Sequence, residues 1–123
     1  MDSVVTKRTE AEMVKFAICT AVEAALLNQL AKVGVHTVYV RSLKWTEELK
    51  CSLECDIAPP NHLSGRKGTP AQREQFEKTL NETTFKARGM KFNVKIMRKL
   101  VTFCSTSTKI KKDMYYNVQC GSM

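Results

Sequence analysis

Cysteine and histidine are the residue types in this chain best suited to metal or nucleophilic chemistry, so their spacing comes first. Cys51, Cys55 and His62 form C-x3-C-x6-H, with Cys19, Cys104, Cys120 and His36 as candidates for a further ligand. Structural zinc sites usually supply two close ligand pairs, and this spacing supplies one. The residues around the pair are more informative. Leu49, Cys51, Leu53, Cys55 and Ile57 alternate with Lys50, Ser52, Glu54 and Asp56 without exception, the period of a half-buried strand. Along a strand, four residues span roughly 13 Å, whereas two zinc-bound sulfurs sit within about 4 Å of each other. Neither a shared metal nor a disulfide between Cys51 and Cys55 is expected, and both read as small buried hydrophobes. His36 falls in a second apolar, β-branched run and His62 in a loop, neither with a carboxylate or nucleophile partner by motif. A Walker loop, a nucleophile elbow and a dinucleotide fingerprint are all missing from the sequence. The expectation is a protein that is not an enzyme, with no metal and no cofactor.

Charge points toward binding. The 123 residues carry a net charge of +8, and it is unevenly placed. Residues 1–61 hold seven basic and eight acidic side chains, residues 62–123 thirteen basic and four acidic. From Lys86 to Lys112 there are nine Lys or Arg and no acid. Such an excess attracts nucleic acid, an anionic surface or an acidic protein. An odd number of cysteines, five, without a secretory signal, fits free thiols in a reducing compartment, cytoplasmic or nuclear and not secreted. The apolar run "FAICTAVEAALL" is 12 residues long and broken by Glu23, too short to span a bilayer.

The elements that must position these residues follow from period and punctuation. Thr9 and Glu12 have capping-box spacing, strong helix formers run on to Val33, and Gly34 is placed to end the helix. Apolar residues cover most of its circumference, leaving a strip through Lys15, Cys19 and Glu23, so the helix is expected to be mostly buried. A strand over 35–44 and the alternating 49–57 should form a hairpin. Residues 58–69 are a flexible loop by composition. Thr69, Pro70 and Gln72 start a surface helix expected to reach Arg88, with Gly89 closing it. "MKFNVKIMRKLVTFC" is a strand with a parity shift, hence a bulge, around Arg98-Lys99. Residues 105–113 read as a connection, and "MYYNVQC" is the last strand. The fold expected is α+β, in the order α-β-β-α-β-β, a four-stranded antiparallel sheet packed on the long N-terminal helix. It forms one domain over 1–123, with 1–8 and 121–123 frayed.

The function expected is a small non-enzymatic module that binds RNA or single-stranded nucleic acid. Aromatic rings stack on bases while cations track phosphates. The outward sheet face would carry Tyr39, Arg41, Lys50, Lys91, Lys95 and Tyr115, with Arg98 and Lys99 added at the parity shift. Loops would add Arg66, Lys67, Lys109, Lys111 and Lys112. "GRKG" at Gly65–Gly68 resembles the backbone clamp of KH modules, but a KH domain needs a helix before it, where the alternation places a strand. The alternative is a protein–protein adaptor, acting as a homo- or heterodimer or as a subunit of a larger complex. The element order resembles, loosely and by fold alone, roadblock-type dynein and signalling adaptors.

Overall fold

Thr9 starts the first helix as its spacing predicts. Its hydroxyl accepts the Glu12 N–H at 3.2 Å, and the Glu12 carboxylate accepts the Thr9 N–H at 3.2 Å. In this computed structural model, residues 9–46, 50–64, 67–105 and 110–123 are described, with 100–105 and 110–114 described by backbone alone. Helix α1 spans Glu10–Leu30, a 3-10 turn at Ala31–Val33 extends it, and Gly34 ends it at φ +93°. Strands β1 (Val38–Trp45) and β2 (Cys51–Ile57) follow, then α2 (Pro70–Glu82), β3 (Thr84–Ala87), β4 (Met90–Ser105) and β5 (Ile110–Ser122). The sheet is antiparallel throughout, with strand order β1-β2-β5-β4-β3.

The α+β class and the β1–β2 hairpin agree with the sequence, but the strand count does not. There are five strands, because the expected second helix stops at Glu82 and Thr84–Ala87 pairs with Asn93–Met90 instead. Gly89 therefore closes no helix. Arg88 and Gly89 make a two-residue hairpin turn, both at positive φ (51° and 79°), as the I′ class of turn requires. Residues 105–113 are also not a simple connection, since β4 runs through Ser105 and β5 begins at Ile110, with Ser105 opposite Ile110.

Both helices pack on one face of the sheet. The core gathers Ile18, Val22, Leu26 and Leu30 from α1 with Phe76 and Leu80 from α2. Leu53, Cys55, Ile57, Phe92, Val94, Tyr116, Val118 and Cys120 meet them from the strands. The α1 residues recur every fourth position, one line along the helix. This corrects the expectation that α1 is mostly buried: Met13, Val14, Phe16 and Val33 remain exposed. A sheet covers one side of a helix, whatever the composition of the rest. By length and composition alone, the helical span Glu10–Val33 could cross a membrane, longer than the 12-residue run counted in the sequence; 22% of its apolar window is buried. That buried line closes the sheet's core.

Two bulges start from one row of residues across the sheet. Val40, Cys55, Val118 and Ile96 are consecutive partners, and the register shifts just beyond, at Val40/Ser42 in β1 and at Ile96/Arg98 in β4. The second shift is the one read from the parity change near Arg98. The end of α2 anchors it: the Ile96 N–H donates to Asn81 Oδ1 at 2.9 Å, and the Val94 N–H to the Thr83 carbonyl at 3.1 Å. Bulges bend a strand and re-aim its side chains, which here places Arg41 and Met97.

Candidate nucleic-acid interface

The alternation that buries the cysteines also builds the opposite face. Cys51, Leu53, Cys55 and Ile57 are all at or near full burial, and Ser52, Glu54 and Asp56 between them face away from the helices. Cys55 Sγ lies 3.9 Å from Cys120 Sγ, with the Cys55 thiol pushed up by that contact first and by burial second. Burial also raises Cys19 and Cys51. These thiols disfavour the thiolate that nucleophilic or metal chemistry would use. Among the described residues, no group of three or more His, Cys, Asp or Glu could hold a metal ion.

The outer face is ordered in rows. Tyr39, Asp56, Asn117 and Arg98 are successive partners from β1 to β4. The next row runs Ser42, Glu54, Gln119, Lys95, and the one after it Lys44, Ser52, Gly121, Asn93, Thr84. Beyond these, Lys86 stands directly opposite Lys91. Asn117 is the hub. Its amide nitrogen donates to Glu54 Oε2 at 3.0 Å and to Asp56 Oδ1 at 2.9 Å, although the residue is only 2% exposed. Asp56 in turn takes the Arg41 guanidinium at 3.1 Å, and that hydrogen bond, followed by the carboxylate's charge, raises the Arg41 pKa. Gln119 donates to the Ser52 hydroxyl at 2.7 Å.

The structure brings some of the expected residues together and separates others. Tyr39, 60% exposed, Arg41, Arg98 and the half-buried Tyr115 surround the Asp56–Asn117 pair, and Lys95 and Lys91 continue along β4. Lys50 is exposed at the far end of the first hairpin, where its N–H bonds the Thr46 hydroxyl. Lys67 precedes α2, with its carbonyl held by Arg73. Lys99 is opposite Tyr116 and reaches Glu77 of α2 at 3.1 Å, on the helix side of the sheet. Lys111 and Lys112 pair with Cys104 and Phe103, their side chains outside the described residues, and Arg66 and Lys109 lie outside them altogether.

A shallow cleft of about 410 Å³ lies on this face. β2 and β5 form its floor, Ser42 and Lys44 one side, and Met97 and Arg98 the other. Of its nine lining residues only Arg98 was among the expected site residues, and Glu54, Asn117 and Gln119 on the floor were not. The period of β2 already put Glu54 outward, but its meeting with Asn117 depends on a cross-strand register that the sequence does not state. No family model, curated protein or solved structure matches the chain.

Proposed function

We propose that the protein is a non-enzymatic module that binds RNA or single-stranded DNA through the outer face of its sheet, inside the cell. The observation that carries this reading is the charge on the β3–β4 hairpin. Lys86 and Lys91 are cross-strand partners on the same exposed face, a placement that destabilises a sheet. Arg88, Lys95 and Arg98 follow without a carboxylate in the stretch, and none of the five makes an ion pair among the described residues. Edge protection accounts for a lysine on β3, an edge strand. It does not account for Lys91 on the interior strand β4, where Lys86 is the partner on one side and the Met123 N–H bonds the Lys91 carbonyl at 2.8 Å on the other. Of the two carboxylates at the centre of the face, Asp56 is offset by Arg41, while Glu54, held by the neutral Asn117 amide, keeps its charge. Tyr39 and Tyr115 supply rings for stacking.

Binding of a labelled single-stranded oligonucleotide, followed by anisotropy across a salt series, tests the proposal. Replacing Lys91, Lys95 and Tyr115 together with alanine should weaken binding and flatten the salt dependence by a slope of about 1.4, the contribution of two phosphate contacts on a single strand. Unchanged binding refutes it. A second reading, an adaptor that dimerises or joins a larger complex, draws on the exposed Met13, Val14 and Phe16 of α1. Sedimentation discriminates: a strict monomer disfavours the adaptor and leaves the nucleic-acid proposal standing.

A further inference from the structure

The cleft between the two bulges has a chemistry more specific than polyanion binding. We propose that it holds the Watson–Crick edge of a single unpaired guanine, an inference that rests on the nucleic-acid reading above. Glu54 is fixed at one oxygen by Asn117, itself tied to Asp56 and through it to Arg41. Its other oxygen takes no donor among the described residues. A carboxylate held in this way accepts from two parallel N–H donors. Beside it, Gln119 and Ser52 bond each other at 2.7 Å, which leaves an amide oxygen, a second amide N–H and a hydroxyl hydrogen for further contacts. Met97 is 54% exposed, turned onto the cleft by the bulge, and a thioether packs favourably against a ring. Lys44 and Arg98 stand on opposite sides, three strands across and four residues along the sheet from each other, roughly 19 Å backbone to backbone.

A ligand that suits this arrangement needs paired N–H donors for the carboxylate, a flat ring for Met97 and negative charge for the two cations. Guanine within an RNA or DNA strand has all three. Adenine and cytosine set one amino group beside a ring nitrogen that accepts, and uracil sets one N–H between two carbonyls, so each would turn a lone pair toward Glu54. An arginine side chain from a protein partner offers paired donors but brings a positive charge between Lys44 and Arg98. The cleft volume of about 410 Å³ falls within the roughly 300–1,000 Å³ usual for small-ligand sites.

The test compares two fluorescein-labelled probes, a short oligouridylate and the same strand with two isolated uridines replaced by guanosine, at low salt. The wild-type protein should bind the guanosine-containing strand roughly tenfold more tightly, the discrimination expected of one good bidentate pair. Glu54→Gln, which replaces one acceptor oxygen by a donor at the same shape, should bring the ratio of the two affinities to about one, and it should tighten rather than weaken oligouridylate binding because it removes a negative charge from the face. Met97→Ala, which leaves the carboxylates untouched, should reduce the preference and serves where Glu54→Gln does not fold by circular dichroism. Equal affinity of the wild type for both strands overturns the inference and leaves the nucleic-acid reading intact, as does a preference that survives both substitutions. Failure of both strands to bind overturns the two together.

Discussion

Tyr116 and Asn117 are neighbours on β5 that point to opposite faces, and both bury a polar group against carboxylates. Tyr116 is fully buried, packs its ring at 5.5 Å from Phe76 and donates its hydroxyl to Glu77 Oε2 at 3.1 Å. Asn117 is 2% exposed and donates to Glu54 and Asp56. The ring of Tyr116 adds apolar area to the core, so its hydrogen bond is secondary to packing. Asn117 contributes almost no apolar area. Its burial comes from the surrounding polar side chains, and its effect is to hold two carboxylates in fixed positions on a face that the core does not need. A satisfied polar network of this kind rigidifies the side chains it joins.

The largest expected effect belongs to the inner member of the pair. Burial first, then the charge of Glu77 and the hydrogen bond to it, push the Tyr116 hydroxyl up to about 12 from its ordinary 10. A raised folded-state value means the fold favours the protonated phenol. That contribution is complete below about pH 10 and is lost as pH rises through about 12. Relative to Tyr116→Phe, the wild type should therefore lose on the order of 2 kcal/mol of unfolding free energy across that window. Urea titrations of both proteins at a series of pH values measure it, and parallel curves would show that Tyr116 is not held as described.

The outer member should show a smaller effect. Asn117→Ala removes the donor that Glu54 and Asp56 share, leaving Asp56 with Arg41 alone and Glu54 without its donor, at a cost of about 1 kcal/mol, at the low end because both carboxylates are only half-buried. The same substitution should weaken any preference among oligonucleotide sequences more than overall affinity, because it removes no cation from the face. A stability within error of wild type by urea denaturation would mean that the network is decoration rather than support, and the contrast with Tyr116 would become one between a structural residue and an indifferent one.

How much of this was legible depended on whether a signal was local. The nine-residue alternation through Cys51 and Cys55 gave the strand, its buried face and the hairpin with β1, because each is a property of one segment. β3 escaped because Thr84–Ala87 is four residues long and follows directly on a helix. Its signals were Thr83, Thr84 and Phe85, which favour strands, and the Arg88-Gly89 pair at a turn. The line of α1 that meets the sheet could not be singled out either. With apolar residues at Met13, Val14 and Phe16 as well as at Ile18 and Val22, the pattern fits several faces, and the sheet selects one. The candidate site divides the same way. Charge and period put Lys91 and Lys95 on the outer face, whereas Glu54 meets Asn117 only because register sets β2 beside β5. Lys99 shows the cost of a single bulge: one extra residue carries it to the helix side and into an ion pair with Glu77.

The smallest effect bears most directly on function, because stability and binding should move in opposite directions. Lys86 and Lys91 face each other across β3 and β4, and a like-charge pair at that position costs a sheet about 0.2–1 kcal/mol. Lys91→Glu turns the repulsion into attraction, so the variant should unfold at a higher urea concentration with an unchanged m-value, which identifies a true gain in stability. The gain should fade as salt is raised, since both side chains are exposed and screened. Over the same substitution, affinity for a single-stranded oligonucleotide should fall, and fall most at low salt. A residue that weakens its own fold and strengthens a contact with phosphate is what a binding face needs and a solubilising face does not. If Lys91→Glu proves neutral or destabilising at low salt, the two lysines are far enough apart in solution to ignore each other. The charge on the β3–β4 hairpin then has no cost that binding must explain.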